Sequence, residues 1–533
     1  MRAAQRRTRE AAVGATTPAL TRRQLLASAG SAAAIAIYGT GCAETARQAR
    51  SLTGPLPLAY LPLSAEPQTL KLALHAVARA GFGPLPGDVT RAAIMGPRAW
   101  VEQQLTSWGS IPEDPAVDWR VNALDTHQTQ QEAPDAMMSM EYDQLLAETA
   151  QAAVLRARFS TRQLKENLID FWTNHFNIYA LKSDGQALVP TDIETVIRAN
   201  FDSFPNMLRA SAHSPAMLNY LDNKFNEKGV ANENYARELL ELHTLGVDSG
   251  YTLTDIKQVA RCFTGWTVKT GWQRGQFVYT DNLHDKGSKY IPFLNLTIAP
   301  NGGQKDADAV IETLAYHPAT AHFLARKLCK HFLGTVPLDT QDAAVRAYLG
   351  SKGRISCMLR PILLDALFST ERCQPIIKRP LNMTVSALRA LNADTDGARP
   401  IQVHLDTMGQ PLYQWPMPDG YPEKASAWAA NLLPRWNFSL ALTANTIPGT
   451  TTNLPALFTA AGISATECGD AGILKLSELV LNTPANVIQQ HSPQLVAAMK
   501  QHAADAAAAH VKVPQILAEC TALLLSSPEF QWK

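Results

Sequence analysis

Apolar residues recur every three or four positions along most of the chain after residue 66. Leu70, Ala73, Val77 and Ala80 form the first such stripe, and the sequence Gly81-Phe82-Gly83-Pro84 follows it as a stop signal. This spacing is the period of an amphipathic helix, which buries one face and leaves the other in water. The pattern therefore predicts a first helix that ends at residue 80 or 81.

The same period predicts helices along the rest of the chain. The predicted helices are 97–107, 137–158, 161–180, 190–199, 204–212, 235–245, 255–263, 307–316, 319–332, 340–350, 355–368 and 427–444, followed by Ala- and Leu-rich helices up to the C-terminus. Two polar, proline-containing stretches, 109–135 and 396–425, predict loops. Asn234 is the predicted N-cap of helix 235–245, and Thr254 that of helix 255–263.

Residues 264–300 have a different pattern, because Val268, Trp272, Phe277 and Tyr279 alternate with polar residues. Alternation with period two predicts a short antiparallel hairpin. We therefore predict a mainly α fold: a large multi-helix globular body with a small β-hairpin insertion near 266–295. A subdivision near 396–425 would separate a core from a C-terminal helical part.

The N-terminal residues have the order of a signal peptide. A basic region contains Thr21-Arg22-Arg23-Gln24-Leu25-Leu26, and an Ala-rich apolar stretch then runs to Tyr38. Paired arginines before two leucines are typical of twin-arginine signals, and the apolar stretch is shorter than a membrane span. We predict a signal peptide at 1–45, a linker at 46–65 and a body at 66–531, located in the periplasm or outside the cell.

Two further features concern the membrane and the redox compartment. Cys42 follows small residues, so a lipid anchor at this position is an alternative to simple cleavage. No later segment has 18 uncharged apolar residues, which argues against a transmembrane helix. The seven cysteines contain no CxxC pair, and they are read either as partly disulfide-bonded or as buried small hydrophobic residues.

The charge balance argues against a nucleic-acid partner. The chain of 533 residues has 48 basic and 47 acidic side chains and a formal net charge of +1. Such a balance contains no basic footprint for phosphate backbones. We therefore expect no nucleic-acid binding.

The densest polar cluster lies in residues 232–243, where Glu233, Arg237, Glu238 and Glu241 occur on neighbouring helical turns. Carboxylates three or four residues apart share a helix face and would suit a metal site or a buried ion network. The alternative is an i,i+4 pair of Arg237 and Glu241 on a solvated face. No ExxH step is present, so a ferritin-like di-metal site is not indicated.

Two histidine-containing segments are the other candidates for chemistry. In Phe171-Trp172-Thr173-Asn174-His175-Phe176 the imidazole is either a core histidine bonded to a carbonyl or a general base in a dry pocket. In His284-Asp285-Lys286 the acid is either a partner that fixes the imidazole or an ordinary loop residue. The spacing of the other histidines does not predict a metal pair.

These clusters occur in a fixed order. The order is His75-x-x-x-Arg79-Ala80-Gly81-Phe82-Gly83, Phe171-Trp172-x-Asn174-His175-Phe176, Tyr220-Leu221-Asp222-Asn223, Asn232 to Gly246, Ala260-Arg261-x-Phe263-Thr264-Gly265-Trp266, His284-Asp285, His317-Pro318-Ala319-Thr320-Ala321 and Ser527-Pro528-Glu529-Phe530-Gln531. This succession, over about residues 66–531, resembles the domain of unknown function 1800 (DUF1800) family of exported bacterial proteins.

The resemblance implies an exported, mainly helical protein and does not imply a particular reaction. It also implies a partner, an exported sulfatase-like protein of the alkaline phosphatase superfamily. The sequence departs from the family pattern at His243, where an aromatic residue is usual, and after Lys289, where Tyr290-Ile291-Pro292 replaces the usual residues.

Two hypotheses from different classes follow. In the first, the protein is a metal-dependent or acid–base enzyme of the cell envelope. Its candidate catalytic residues are His175, Glu238, Glu241 and His284, and its candidate binding residues are Asn174, Glu233, Arg237, Arg261, Trp266 and Asp285. A divalent metal is the open cofactor, and its identity is unknown.

In the second hypothesis the protein is a non-catalytic binding or scaffold module. The same polar residues then form a buried structural network. The loop 396–425, which contains Tyr413, Trp415 and Tyr421, would be a contact surface for a partner. The two hypotheses differ in whether the distant polar residues meet in one water-reachable cleft.

Overall fold

A computed structural model describes residues 62–533, apart from residues 64, 107–114, 133, 271–274, 465 and 467. The predicted signal peptide and Cys42 lie outside the described residues, as does most of the predicted linker. All described residues belong to one unit, Pro55–Lys533. The secondary structure of this part is mainly helical, which confirms the predicted fold class.

The first half of the described chain forms thirteen α-helices. They are α1 Pro67–Ala80, α2 Asp88–Met95, α3 Pro97–Thr106, α4 Pro115–Asn122, α5 Asp125–Glu132, α6 Tyr142–Phe159, α7 Gln163–His175, α8 Gly185–Asp192, α9 Phe204–His213, α10 Pro215–Tyr220, α11 Glu233–Glu238, α12 Leu253–Cys262 and α13 Lys305–Ala315.

The second half of the described chain forms another thirteen α-helices. They are α14 Pro318–Leu333, α15 Leu338–Gly350, α16 Ile355–Arg360, α17 Pro380–Ala390, α18 Arg399–Thr407, α19 Ser426–Ala429, α20 Leu432–Thr443, α21 Leu454–Ala460, α22 Asp470–Leu481, α23 Ala485–His491, α24 Pro493–Ala508, α25 Val513–Ser526 and α26 Pro528–Gln531. In the described residues no helix is both long and apolar enough to cross a bilayer.

The described residues also form three pairs of short antiparallel strands. They are β1 Trp266–Val268 with β2 Phe277–Tyr279, β3 Lys289–Ile291 with β4 Leu296–Ile298, and β5 Asp394–Thr395 with β6 Thr450–Thr451. The hairpin predicted near 266–295 is thus confirmed, and the next hairpin follows it directly. Trp272, which helped to predict the hairpin, lies outside the described residues.

The apolar stripes are buried as their period requires. In α1 the stripe residues Leu70, Ala73, Val77 and Ala80 are all buried, and Gly81 ends the helix. The buried apolar residues fall into two large clusters, one made of residues between 76 and 367 and the other mainly of residues between 381 and 530. The subdivision predicted near 396–425 stays a prediction.

Two predicted loops contain helices. The stretch 109–135 includes α4 and α5, and 396–425 includes α18. Pro115 and Asp125 stand at the first positions of their helices, where a missing N–H and a negative charge are both tolerated. We interpreted proline as a helix breaker here, and that interpretation was wrong because proline also starts helices.

The two predicted N-caps are each displaced by two residues. Asn232, not Asn234, caps α11, since its side chain accepts a hydrogen bond from the N–H of Asn234. Thr252, not Thr254, caps α12, where it forms a capping box with Asp255. Several residue types suit an N-cap, so sequence alone does not choose between neighbouring candidates.

Candidate functional site

The C-terminal end of α7 holds the loop that precedes α19. Asn174 Nδ2 donates to the carbonyl of Tyr421 at 3.1 Å, and the N–H of Tyr421 donates to Asn174 Oδ1 at 2.8 Å. Asn177 Nδ2 donates to the carbonyls of Trp415 and Met417. The loop is therefore anchored on its inner side, and Tyr421 is buried rather than presented to a partner.

Gly420 makes this anchoring sterically feasible. It has a φ of +75°, and a Cβ at this position would lie 2.3 Å from the carbonyl oxygen of Asn174. Such a contact is far inside van der Waals distance. Only glycine combines this conformation with the close approach of the two backbones.

His175 is buried, and both of its ring nitrogens have partners. Nε2–H donates to the carbonyl of His243 at 3.1 Å, while Nδ1 accepts from Lys327 Nζ at 3.0 Å. Burial and then the charge of Lys327 hold the pKa of His175 well below its ordinary value, so the ring is neutral. No ring nitrogen is left to bind a metal or to take a proton from a substrate, and His175 positions the ammonium group of Lys327.

A π-helical turn positions the carbonyl of His243, which accepts the hydrogen bond from His175. α11 continues as Leu239–Thr244 in π-helical form, and the helix ends directly afterwards. The last carbonyls of a helix have no partner within it, so the His243 oxygen is available to a neighbouring side chain. The ring of His243 is itself buried, and burial followed by the charge of Lys327 lowers its pKa to about 3.

Lys327, on α14, was not among the residues that we selected from the sequence. Its ammonium group lies 5.6 Å from the centre of the Phe323 ring and 5.9 Å from that of Phe171. Burial lowers its pKa, and Glu423 and Asp419 oppose that effect. The signal in the sequence was a lysine one helical turn after Phe323 and Leu324.

The acidic helix approaches the same region. The pKa of Glu238 is raised, mainly by burial. The charges of Glu241 and Asp419 raise this pKa further, and the charge of Arg237 lowers it. Asp419 thus acts on both Glu238 and Lys327. Across the described residues, no group of three or more His, Cys, Asp or Glu side chains is arranged to hold a metal ion.

His284 lies in a different, sealed network. It is 1% exposed, its Nδ1 is 2.7 Å from the carbonyl oxygen of Thr264, and its Nε2 is 3.1 Å from Asp306 Oδ2. Lys289 Nζ donates to the same carboxylate oxygen at 2.6 Å and also to the carbonyl of Asp285. Every polar group of this cluster has a protein partner, as buried charges require.

Asp285 and Arg261 form a second layer over that network. Arg261 donates to both carboxylate oxygens of Asp285, at 2.7 and 3.2 Å. The N–H of Asp285 donates to the hydroxyl of Thr264, and this hydroxyl donates to the carbonyl of Arg261. The pair joins the end of α12 to the loop before β3, which is a structural role.

The remaining predicted binding residues are placed separately. Trp266 is fully buried against Phe263, Phe277 and His213, and its Nε1 has no partner among the described residues. Arg237 and Glu233 form a half-exposed i,i+4 pair at 3.3 Å. The alternative predicted a surface pair of Arg237 with Glu241, and the partner was wrong, because Arg237 pairs with Glu233 on the preceding turn.

The structure therefore brings some of the predicted residues together and separates others. His175 and Glu238 are connected electrostatically through Lys327 and Asp419. The side chain of His284, in contrast, contacts Thr264, Asp306 and Tyr279. Whether any of these residues is catalytic stays a prediction.

A cavity of about 530 Å³ lies where α1, α17, α22 and α23 meet the C-terminal segment. One wall is built by antiparallel pairing of residues 376–378 with residues 531–533. Ile376 and Lys533 exchange two backbone hydrogen bonds, and the N–H of Lys378 donates to the carbonyl of Gln531. His75 and Arg79, from the motif that opens the resemblance, also line the cavity.

Another cavity, of about 610 Å³, lies between α6 and α18. Its lining includes Asp143, Arg399 and Asp406. The charges of this lining are already paired or hydrogen-bonded, because Arg399 contacts Asp406 at 3.1 Å and Gln186 donates to Asp143.

Comparisons with known proteins give one match. No curated protein and no solved structure matches the chain. A family model described as "Protein of unknown function (DUF1800)" matches residues 75–532, and the first and last matched residues, His75 and Trp532, both line the cavity of about 530 Å³. Because this match covers most of the chain and confirms the resemblance, the protein belongs to the DUF1800 family.

Proposed function

We propose that the protein is exported and acts outside the cytoplasm as a non-catalytic binding protein for a small ligand. The observation that carries this proposal is the cavity of about 530 Å³ at α1, α22 and α23. Its volume lies within the range of roughly 300–1,000 Å³ that is usual for small-molecule sites. Apolar side chains such as Leu74 and Ile488 line it together with polar and charged ones.

The surroundings of the two predicted catalytic histidines support a non-catalytic role. His284 is enclosed by Thr264 and Asp306, and both nitrogens of His175 have protein partners. A general base needs a lone pair within hydrogen-bond reach of the substrate. Neither imidazole offers one in this arrangement.

Dye binding to the full chain tests the proposal. A fluorophore whose emission rises in apolar surroundings should bind with one site per chain. Ala78→Phe, which adds a ring to the cavity lining on α1, should abolish binding. The matched control is Ala147→Phe, since Ala147 lines the other cavity and is likewise half-buried in a helix. Equal binding by both variants would contradict the proposal.

Export belongs to the same proposal and has its own test. The paired Arg22-Arg23 supports the twin-arginine route. Replacing both arginines by lysine should retain the protein in the cytoplasm, whereas the same replacement at Arg6 and Arg7 should leave export intact. Mass spectrometry of the exported protein checks three further predictions. They are the removal of residues 1–45, a lipid at Cys42 and co-purification of an exported sulfatase-like protein.

A second candidate function, acid–base chemistry at Lys327, rests on one observation. The lysine is half-buried, donates to the neutral imidazole of His175 and has a lowered pKa. Such a lysine is a nucleophile or base at lower pH than an exposed one. When an amine-reactive reagent acylates the protein, the pH profile for Lys327 should have a lower midpoint than the profile for the exposed Lys257. Equal midpoints would exclude this function.

A further inference from the structure

The charged lining of the cavity of about 530 Å³ is mostly of one sign. Four side chains with a formal positive charge, Lys71, Arg79, Lys378 and Lys533, line it together with one carboxylate, Glu529, which is exposed. Lys71 is exposed as well, while Arg79 and Lys378 are buried. The deep part of the cavity is therefore positively charged.

Arg79 is held rigidly, but its charge is not neutralised. It is 2% exposed, and its Nη1 and Nη2 donate to the main-chain carbonyls of Phe332 and Gln374 at 3.1 and 2.6 Å. Its Nε has no partner among the described residues. A guanidinium group whose partners are carbonyls keeps its full charge, which costs free energy in an apolar interior.

Lys378 is in a similar position. It is 6% exposed, its Nζ donates to Ser386 Oγ at 2.9 Å, and it lies 3.9 Å from the centre of the Phe530 ring. Burial, followed by the charges of Lys533 and Arg435, lowers its pKa to about 7. A hydroxyl and an aromatic face stabilise an ammonium group less than a carboxylate does.

Lys533 completes the set. Burial, then Arg79 and Arg379, lower its pKa to about 7, and Asp170 opposes them. Asp170, however, already accepts a hydrogen bond from Arg379. An anion between Lys378 and Lys533 would thus relieve repulsion between like charges.

The rest of the lining combines apolar side chains with polar ones, among them Gln374, Asn482 and Thr483. The side chains from α1, α22, α23 and the C-terminal segment include Leu74, Val480, Ile488 and Phe530. Trp532, which is 37% exposed, lies at the outer side of this surface. An apolar surface next to buried cations suits a ligand that has an anionic end and a hydrocarbon part.

We infer that the ligand is an amphiphile with one anionic head group, a carboxylate or a phosphate, and an apolar tail. The head group lies among Arg79, Lys378 and Lys533, and the tail lies along the apolar lining from α22 and α23. This inference rests on the proposed function, because it names the ligand class of the same cavity. The motifs that open and close the family match contribute Arg79 and Phe530 to this site.

Titration calorimetry of the full chain at pH 6.5 tests the ligand class. Dodecanoate or dodecyl phosphate should bind, dodecanol should bind at least tenfold more weakly, and acetate should show no binding. Each added methylene should tighten anion binding by up to about fourfold until the tail fills the cavity. If dodecanol binds as tightly as both anions, the anionic head is refuted and ligand binding in the cavity stands. If no twelve-carbon compound binds, both proposals fail.

Lys378→Met tests the position of the head group. Its affinity for the preferred anion should fall at least tenfold, its affinity for dodecanol should stay unchanged, and its melting temperature should rise. Lys257→Met, an exposed lysine on α12, is the matched control and should behave like the wild type. Wild-type anion affinity in Lys378→Met would overturn the inference. Lys533→Met provides the same comparison if the first variant does not fold.

Discussion

Two buried lysines of this protein differ in what neutralises them. Lys289 is 2% exposed and donates to the carboxylate of Asp306 at 2.6 Å, within a network that also contains His284. Lys378 is 6% exposed and donates to the hydroxyl of Ser386. The first lies in a sealed interior, and the second lines a cavity of about 530 Å³.

The difference distinguishes a lysine with a structural role from a lysine that is available to bind a ligand. A buried ammonium group with a carboxylate partner is compensated, so the Lys289 network connects β3, α13 and the loop at Thr264 and needs nothing more. A buried ammonium group without such a partner is destabilising, and an anionic ligand would supply the missing charge. The following predictions test this contrast in order of decreasing effect.

Removing the compensated lysine should cost the most stability. Lys289→Met leaves the Asp306 carboxylate buried beside His284 without its ammonium partner, and we expect a loss of about 3–5 kcal/mol in the free energy of unfolding. Urea denaturation measures it. Lys257→Met, at an exposed position, should change the value by less than about 0.5 kcal/mol. Equal effects of the two substitutions would remove the first half of the comparison.

Removing the uncompensated lysine should have the opposite effect and increase the free energy of unfolding. Lys378→Met replaces a desolvated ammonium group by an apolar side chain of similar length, so we expect a gain of about 1–3 kcal/mol without ligand. The same denaturation experiment measures it. A loss of stability would mean that the hydroxyl of Ser386 and the ring of Phe530 compensate the charge fully.

The stability of the unliganded protein should depend on pH through the same lysine. The pKa of Lys378 is about 7 in the folded chain and 10.5 ordinarily, so between these values the unfolded chain binds the extra proton. Stability therefore rises with pH above 7, by about 1.4 kcal/mol per unit for one such lysine. Unfolding free energies at pH 7, 8 and 9 should show a smaller slope in Lys378→Met. Identical slopes would count against the buried charge.

Hydrogen bonds between uncharged groups should contribute less to the free energy of unfolding than these charged contacts. Asn174→Ala removes both hydrogen bonds to Tyr421, and we expect a loss of about 1 kcal/mol because water replaces part of them. Amide exchange at Tyr421 should accelerate, while exchange within α12 should not change. Unchanged exchange at Tyr421 would mean that other contacts hold this loop.

The smallest effect is expected at the half-exposed pair Arg237–Glu233. Arg237→Ala should change the free energy of unfolding by at most about 0.5 kcal/mol, since an i,i+4 pair in contact with water is weak. Thermal denaturation at two salt concentrations checks this value. A larger, salt-insensitive loss would show that Arg237 belongs to a buried network.

The sequence predicted those parts of the molecule that depend on local order. The stripe of α1 and the hairpin near 266–295 were found from spacing, because helix and strand periods act over a few residues. The family was found from the resemblance of its motifs. The helices at 115–132 were missed, since they have weak apolar periodicity and begin at residues that also favour loops. His175, Glu238 and His284 were recognised as unusual, but their partners were not.

The sequence by itself determined a mainly helical family member with polar residues in apolar surroundings. Only the tertiary structure decided which charges are compensated, because Asp306 of α13 meets Lys289 of β3 and His284 of the preceding loop only in the folded chain. The same is true of the cavity, whose cations come from the first helix, from the segment before α17 and from the last residue. Charge pairing acts through space, and a one-dimensional pattern does not contain those distances.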